Sequence, residues 1–307
     1  MNTREILTST RVDKLDDVKG YGKGYELWKD EELLRHLNFV LNEWCRQTLC
    51  LRDSSTEAIC KILLLSNQHT YPMDSRIVAL HKGRLLSGWP NIEVTDEIWL
   101  NDTIFSWETR KGDPRYLLPD HEVGKVRIVP YFNSDGYFSG AFTFTALTKT
   151  IGQVGALFST YLVSGDRVVI SGTTLNGTTL IPATFTVVTA TADAFTVSES
   201  VTNETPSAAI IQKVRDTLWL STSRLPLTQL TLALWESQSP EINFDYHPKL
   251  IDGILRESYL KQDVECYDQK AADRHRILFE TSKALGKKEK YRLRHSSRVL
   301  RPNRGSI

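Results

Sequence analysis

Between residues 146 and 215 the chain changes character, and that change limits its fold more than any other feature. The stretch is rich in threonine, glycine and valine and poor in charge. Gly165-Asp166-Arg167-Val168-Val169-Ile170-Ser171-Gly172, Ala183-Thr184-Phe185-Thr186-Val187-Val188 and Ala194-Phe195-Thr196-Val197 alternate small or polar residues with β-branched or aromatic ones, and Asn176-Gly177 falls between them. β-branched side chains are stiff in helices and pack well on a pleated surface, so the pattern predicts a small all-β module. Chains accept extra domains at exposed hairpin tips, and a module of this size inside a longer β region reads as such an insertion. The interrupted strand is expected to enter at Phe142-Thr143-Phe144 and resume at Leu218-Trp219-Leu220-Ser221.

The flanks carry helical and strand periods instead. Residues 1–27 are polar, contain Gly20, Gly22 and Gly24, and read as an arm. Asp30 is a candidate N-cap with Glu31 and Glu32 in the first turn. Leu33, Leu37, Val40, Leu41 and Trp44 then recur at helical spacing, ending near Cys50. Short apolar runs at 59–65, 77–86, 116–118 and 125–130, with Asn133-Ser134-Asp135-Gly136 as a turn before Ala141-Phe142-Thr143-Phe144-Thr145, predict an antiparallel β region. Pro248 suits a first helical turn, and Leu250, Ile251, Ile254, Leu255, Ser258 and Tyr259 make a stripe. A further helix offers Ala271, Ala272, His275, Leu278, Phe279 and Leu285, with Gly286 as its stop.

The expected architecture is therefore α+β: a helical bundle from the N- and C-terminal helices, an antiparallel β region and the inserted all-β module. The expected boundaries are 1–27 for the arm, 28–145 plus 216–286 for the core and 146–215 for the insert. A C-terminal arm at 287–307 completes them. That last segment carries Lys287, Lys288, Lys290, Arg292, Arg294, Arg298, Arg301 and Arg304 against Glu289 alone. It has a net charge of +7, and with +1 for the whole chain the remainder carries −6. Tyr291, Leu293, Val299 and Leu300 are interspersed among the arginines, which suits an arm that folds into an acidic groove of a partner or touches nucleic-acid phosphate.

Few residues ask to be an active site. His36, His69, His81, His121, His247, His275 and His295 are scattered, with no HExxH and no cysteine–histidine metal spacing. Gly20-Tyr21-Gly22-Lys23-Gly24 meets neither phosphate-loop pattern, no GxSxG occurs, and Asp16-Asp17 sits in a polar context. No enzyme, cofactor or metal is expected. The four cysteines (Cys45, Cys50, Cys60, Cys266) form no CxxC and read as thiols of a protein made in a reducing cytoplasm. No start-proximal apolar region suggests secretion, and no run approaches the ~18 apolar residues that cross a bilayer, so no membrane partner is expected. Seven tryptophans predict core or subunit-interface packing, with a glycan-stacking platform as the alternative use.

Several stretches, taken in order, resemble the head-to-tail adaptor (connector, head-completion) proteins of tailed bacteriophages. Leu15-Asp16-Asp17, Leu27-Trp28-Lys29-Asp30-Glu31-Glu32-Leu33-Leu34 and Leu37-Asn38 resemble that family's opening helix. Trp107, Gly112-Asp113-Pro114-Arg115-Tyr116 and Val126-Arg127-Ile128-Val129-Pro130 resemble its β segment, and Arg224-Leu225-Pro226-Leu227 a strand end. Tyr246-His247-Pro248-Lys249-Leu250-Ile251-Asp252-Gly253, Tyr259-Leu260-Lys261-Gln262-Asp263, Tyr267-Asp268 and Lys270-Ala271-Ala272 through Phe279 form the closest match. The insert at 146–215 departs from the family pattern; Thr/Gly-rich modules of this kind resemble small immunoglobulin-like decorations of phage structural proteins.

The resemblance implies a virion neck protein, assembled in the host cytoplasm. It would form a ring, usually twelve-fold in that family, between the portal protein and a tail or nozzle protein, with transient contact to genomic DNA in the channel. On this reading the portal-binding arm comprises Lys287, Lys288, Lys290, Tyr291, Arg292, Leu293, Arg294, Arg298, Leu300, Arg301 and Arg304. The alternative is a tail-associated module that binds host surface glycans through the β insert.

Overall fold

The computed structural model describes the chain except Asp16, Asp120, Ser207 and residues 18–26, 89–90, 263–265 and 296–307; for 292–295 it describes backbone alone. It folds as two compact units. Unit 1 holds residues 1–53, 76–79 and 222–307, and unit 2 holds 54–75 and 80–221.

In chain order, unit 1 opens with α1 (Thr3–Ser9), a π-helical turn (Thr10–Leu15), α2 (Asp30–Thr48) and β1 (Arg52–Asp53). The path continues through α3 (Glu57–Cys60), β2 (Lys61–Leu65), β3 (Thr70–Pro72), β4 (Ile77–Leu85), β5 (Glu93–Val94), α4 (Glu97–Thr103), β6 (Tyr116–Leu118) and β7 (Lys125–Val129). Then come β8 (Tyr137–Gly140), β9 (Thr143–Thr145), β10 (Thr150–Gly152), α5 (Phe158–Tyr161), β11 (Arg167–Ser171), β12 (Ala183–Ala190) and β13 (Ala194–Val197). The long β14 (Ala209–Arg224) leads back to unit 1 and to α6 (His247–Tyr259) and α7 (Gln269–His295).

These elements overturn the α+β reading in which a helical bundle is the frame of the molecule. The chain is mixed and strand-rich, with a ten-stranded antiparallel sheet and a four-stranded sheet beside seven helices among the described residues. The physical reason lies in β14. Sixteen continuous strand residues pair in turn with β8, β11, β2, β4 and β1, so one strand recruits most of the other β segments.

Within unit 1 the helices bury their stripes against one another. Leu33, Leu37, Val40, Leu41 and Trp44 of α2 share a core with Leu250, Ile251, Ile254 and Leu255 of α6 and Phe279 of α7. Gly253 is the point of closest approach: a Cβ there would lie 2.4 Å from Val40 Cγ1 and 3.1 Å from Phe279. Asp30 is the first residue of α2 and not its cap, because Arg11 takes its carboxylate at 2.8 Å. The helix stops at Leu49, whose φ of 52° is left-handed.

Two expectations for the N-terminal segment also change. Residues 3–9 are helical and not an arm; Asn2 and Glu5 cap each other's backbone in a capping box, and Ile6 and Leu7 are buried in the unit 1 core. Asp17 is no solvated carboxylate: it is buried and accepts the N–H groups of Leu27 and Trp28, each at 3.0 Å. The first turn of the α2 region is thereby tied down. The Gly20–Gly24 cluster lies outside the described residues.

In unit 2 the four-stranded sheet runs β3-β7-β6-β5, with β5 and β6 parallel. Val129 and Leu118 pack there with Leu100 and Trp107. The Tyr71 hydroxyl accepts the Leu65 N–H at 2.8 Å and donates to Gln68 O at 3.1 Å, fixing the β2–β3 turn; burial pushes its pKa up. The peptide before Pro130 is cis.

The insert begins earlier than its composition suggested. Its stem is β8 against β14, with Tyr137–Gly140 facing Ala209–Gln212, so the strand resumes at 209 and runs through 218–221 without a break. Phe138, Phe142 and Phe144 belong to the module's core with Phe158, Phe185, Phe195 and Ile211. The module's strands pair along one path, β14-β11-β12-β13-β10-β9. The first half of β12 pairs with β11 and the second half with β13, with a bulge between Val187 and Thr189 that bends the sheet round its core.

Candidate functional site

The expected partner-binding residues fall on or beyond the last turns of α7, and this helix packs one side against α2 and α6. Ala272 and Phe279 are buried, and the Lys283 side chain is 3% exposed. Glu43 of α2 joins the three helices: its carboxylate takes Lys283 Nζ at 2.5 Å and Arg256 Nη2 at 2.7 Å. Burial alone would raise the Glu43 pKa, but hydrogen bonds from Arg256 and Lys283 outweigh it and hold the carboxyl below its ordinary value. Both cations also lie over the Phe279 ring, Lys283 at 4.5 Å from its centroid and Arg256 at 5.4 Å.

Gly286 does not end the helix. It is a packing position: a Cβ there would meet Trp44 at 3.2 Å, and helical geometry continues to His295. One turn further the Tyr246 hydroxyl donates to the Glu289 carboxylate, which anchors the helix at the start of its basic segment. Lys287, Lys288 and Tyr291 are exposed, and Lys290 is half-buried. Arg292, Leu293 and Arg294 continue the helical backbone, while Arg298, Leu300, Arg301 and Arg304 lie outside the described residues.

The opposite side of α7 was misread from sequence. Leu278 and Leu285 were expected to face the core, yet they are 43% and 56% exposed, and Ile277 and Tyr291 reach 62% and 64%. At 100° per residue Ile277, Leu278, Leu285 and Tyr291 fall on one broad face, with Lys288 among them. The core takes the other face through the small residues Ala272 and Gly286, which allow close approach. The signal was present in the order of residues: an apolar set too wide for a single buried stripe.

No protein-family model matches this chain, and no curated protein matches it.

The motif residues otherwise serve local architecture. Arg224 at the end of β14 donates to Asp53 and Glu241, each at 2.6 Å. These partners outweigh burial and raise its pKa. Asn38 exchanges two 3.0 Å hydrogen bonds with the Leu230 backbone. His247, buried at the head of α6, contacts the carbonyls of Met1 and Ile242. Arg127 stacks on buried Trp107 at 5.0 Å and contacts His121 at 2.9 Å. Among the described residues no three histidine, cysteine or acidic side chains gather in a metal-binding group, and no helix is long and apolar enough to cross a membrane. Cys45, Cys60 and Cys266 are buried thiols outside any disulfide, and Cys50 is half-buried.

The tryptophans divide. Trp28, Trp44 and Trp107 are buried, Trp99 is 40% exposed, and Trp89 lies outside the described residues. None falls within 146–215. The aromatic rings of that stretch are Phe158, Phe185 and Phe195, all buried, and Tyr161, which is 38% exposed.

Proposed function

We propose that this chain is a structural adaptor subunit of a tailed-phage neck. In this reading it assembles as a ring between the portal protein and the tail, with α7 and the residues after it engaging neighbouring molecules. The observation that carries the reading is the two-sidedness of α7. One side is locked to α2 and α6 by Phe279, Gly286 and the Glu43 ion network. The other offers Ile277, Leu278, Leu285 and Tyr291 beside Lys287 and Lys288. An apolar face of this kind on a firmly anchored helix marks an interaction surface. A cationic continuation adds electrostatic steering toward an acidic partner.

A ring needs a heterologous interface, one patch meeting a different patch on the next copy. A chain with +7 in its last 21 residues and −6 elsewhere has the charge separation such head-to-tail contact uses. The motif series that resembles phage adaptors supplies the identity of the partners; α7 supplies the means of contact.

The test is deletion of residues 287–307 together with Leu278→Glu and Leu285→Glu, made separately in the full chain. The reading expects both changes to abolish co-sedimentation with portal rings and to leave neckless or unfilled particles, with circular dichroism unchanged. Normal virion assembly from the deleted chain, or portal binding unaffected by either change, would overturn it.

A further inference from the structure

Unit 2 carries a second surface whose side chains have no part in α7's contacts. Along β4 the residues alternate: Gly83 and Leu85 are buried, while Lys82 and Arg84 are exposed. A Cβ at Gly83 would lie 2.7 Å from Leu218 Cδ1 and 2.9 Å from Leu117 Cδ1, so this face of the strand is packed inward. On β14 Leu218 and Leu220 are buried, whereas Trp219 and Ser221 are half-exposed. Both outward sets line one cleft of about 430 Å³, which Ser54, Ser55 and Asn91 also line.

Three properties of this cleft point to one chemistry. No carboxylate lines it, and neither Lys82 nor Arg84 has an ion-pair partner among the described residues. The two cations stand two strand residues apart, about 6.6 Å along the strand, so each can take a different phosphate of one chain. The same cleft presents the Trp219 indole: Lys61, paired in register with Trp219, places its ammonium over the ring at 5.9 Å and is itself held by Glu57 at 3.2 Å. An acidic peptide would use the cations and leave the indole idle. In a duplex the base faces are already stacked and cannot reach it.

We infer that this cleft binds single-stranded nucleic acid, with a base stacked on Trp219 and the adjoining phosphates on Lys82 and Arg84. A cationic groove interleaved with an aromatic ring is how sequence-tolerant strand binding works, and one stacked base is worth about 1–3 kcal/mol. The polar groups of Ser54, Asn91 and Ser221 line the remaining wall as hydrogen-bond partners for sugar or base. This inference rests on the cleft alone and survives failure of the neck reading, which concerns α7.

The experiment uses the full chain and a 12-nucleotide oligothymidylate carrying 5-iodouracil. Cross-links are mapped by mass spectrometry, which separates the cleft from the basic C-terminal segment. The expected result is a cross-link at Trp219 and affinity about tenfold weaker in Trp219→Ala. Lys82→Ala/Arg84→Ala should lower the slope of log affinity against log salt by about 1.4, two phosphate contacts at about 0.7 each. Lys82 and Arg84 are exposed, so that double variant keeps the test valid if Trp219→Ala folds poorly. Cross-links confined to 287–307 would overturn the inference. So would displacement of the oligonucleotide from Trp219 by an equal concentration of a poly-glutamate peptide, which would assign the cleft to acidic protein. Equal affinity for thymidine monophosphate would assign it to free nucleotide, and equal affinity for the duplex would remove the stacking.

Discussion

The helical core of unit 1 and the β module of unit 2 solve the same problem with different polar chemistry. In unit 1 the packing helices come from opposite ends of the sequence, and charged groups set their register. Glu43 of α2 binds Arg256 of α6 and Lys283 of α7, while Arg224 binds Asp53 and Glu241. The β module has few such pairs. Its carboxylates bind backbone and hydroxyl groups instead: Glu204 accepts from Thr174 N at 2.6 Å, Thr174 Oγ1 at 2.7 Å and Asn176 Nδ2 at 3.0 Å, and Glu199 accepts from Thr186 N at 2.7 Å. Ion pairs between distant segments choose a partner; carboxylates on nearby N–H groups close a loop. The first device suits long-range assembly and the second suits a locally wound sheet.

The largest expected effect probes the apolar side of this contrast. Phe158 is fully buried at the hub of the module's aromatic cluster, with ring centroids 4.6 Å from Phe138, 5.0 Å from Phe195 and 6.4 Å from Phe142. Phe158→Ala should cost about 4 kcal/mol, from lost transfer energy plus a cavity that strands cannot collapse to fill. Hydrogen exchange resolves where the loss falls. Amides of β10, β12 and β13 should lose protection, while those of α6 retain theirs. Equal loss in α6 would break the comparison by making the two cores one cooperative body.

The second effect tests the ionic side. Glu43→Ala leaves Arg256 and Lys283 poorly solvated, and breaking a buried pair from one partner costs about 3–5 kcal/mol. Arg256 keeps Glu257 at 2.7 Å and Lys283 keeps Glu280 at 2.7 Å, so about 3 kcal/mol in urea unfolding is the expected figure. Replacing all three residues by hydrophobic ones of similar size should recover much of that loss. If the triple replacement stays as unstable as Glu43→Ala, the network contributes energy and not merely register.

This division bears on what the sequence could disclose. The stripes of α2 and α6 and the first-turn Pro248 were legible because burial of a periodic face is a local property. The capping box of Asn2 and Glu5 before Ile6-Leu7 was legible too, but was read past as part of a polar arm. The continuous β14 was not legible: Lys213, Arg215 and Asp216 interrupt its apolar alternation. Lys213 is accommodated by Asp166 at 2.6 Å, a residue nearly fifty positions away. The outward face of α7 was misassigned for a similar reason. Which of two apolar sides meets the core depended on Gly286 fitting against Trp44, and only the partner helix decides that. Of the candidate arm, Arg298 to Arg304 lie outside the described residues; the anchored turns from Lys287 to Tyr291 carry the site that can be reasoned about.

The smallest expected effect is the pH dependence of the module's loop staple. Burial tends to raise the Glu204 pKa, but the N–H groups of Thr174 and Leu175, the Thr174 hydroxyl and the Asn176 amide hold the carboxylate down at about 2. The sign follows from linkage. The folded value lies below the ordinary 4.5, so the stabilisation is complete above that value and fades as pH falls from about 4.5 toward about 2. Glu204→Gln cannot ionise and loses the charge-assisted part of these bonds at neutral pH. Its deficit in Tm relative to wild type should therefore shrink steadily across that window and vanish near its lower end. A deficit that stays constant down to pH 2 would mean that shape, and not charge, makes the contact, and the contrast between the two units would then rest on packing alone.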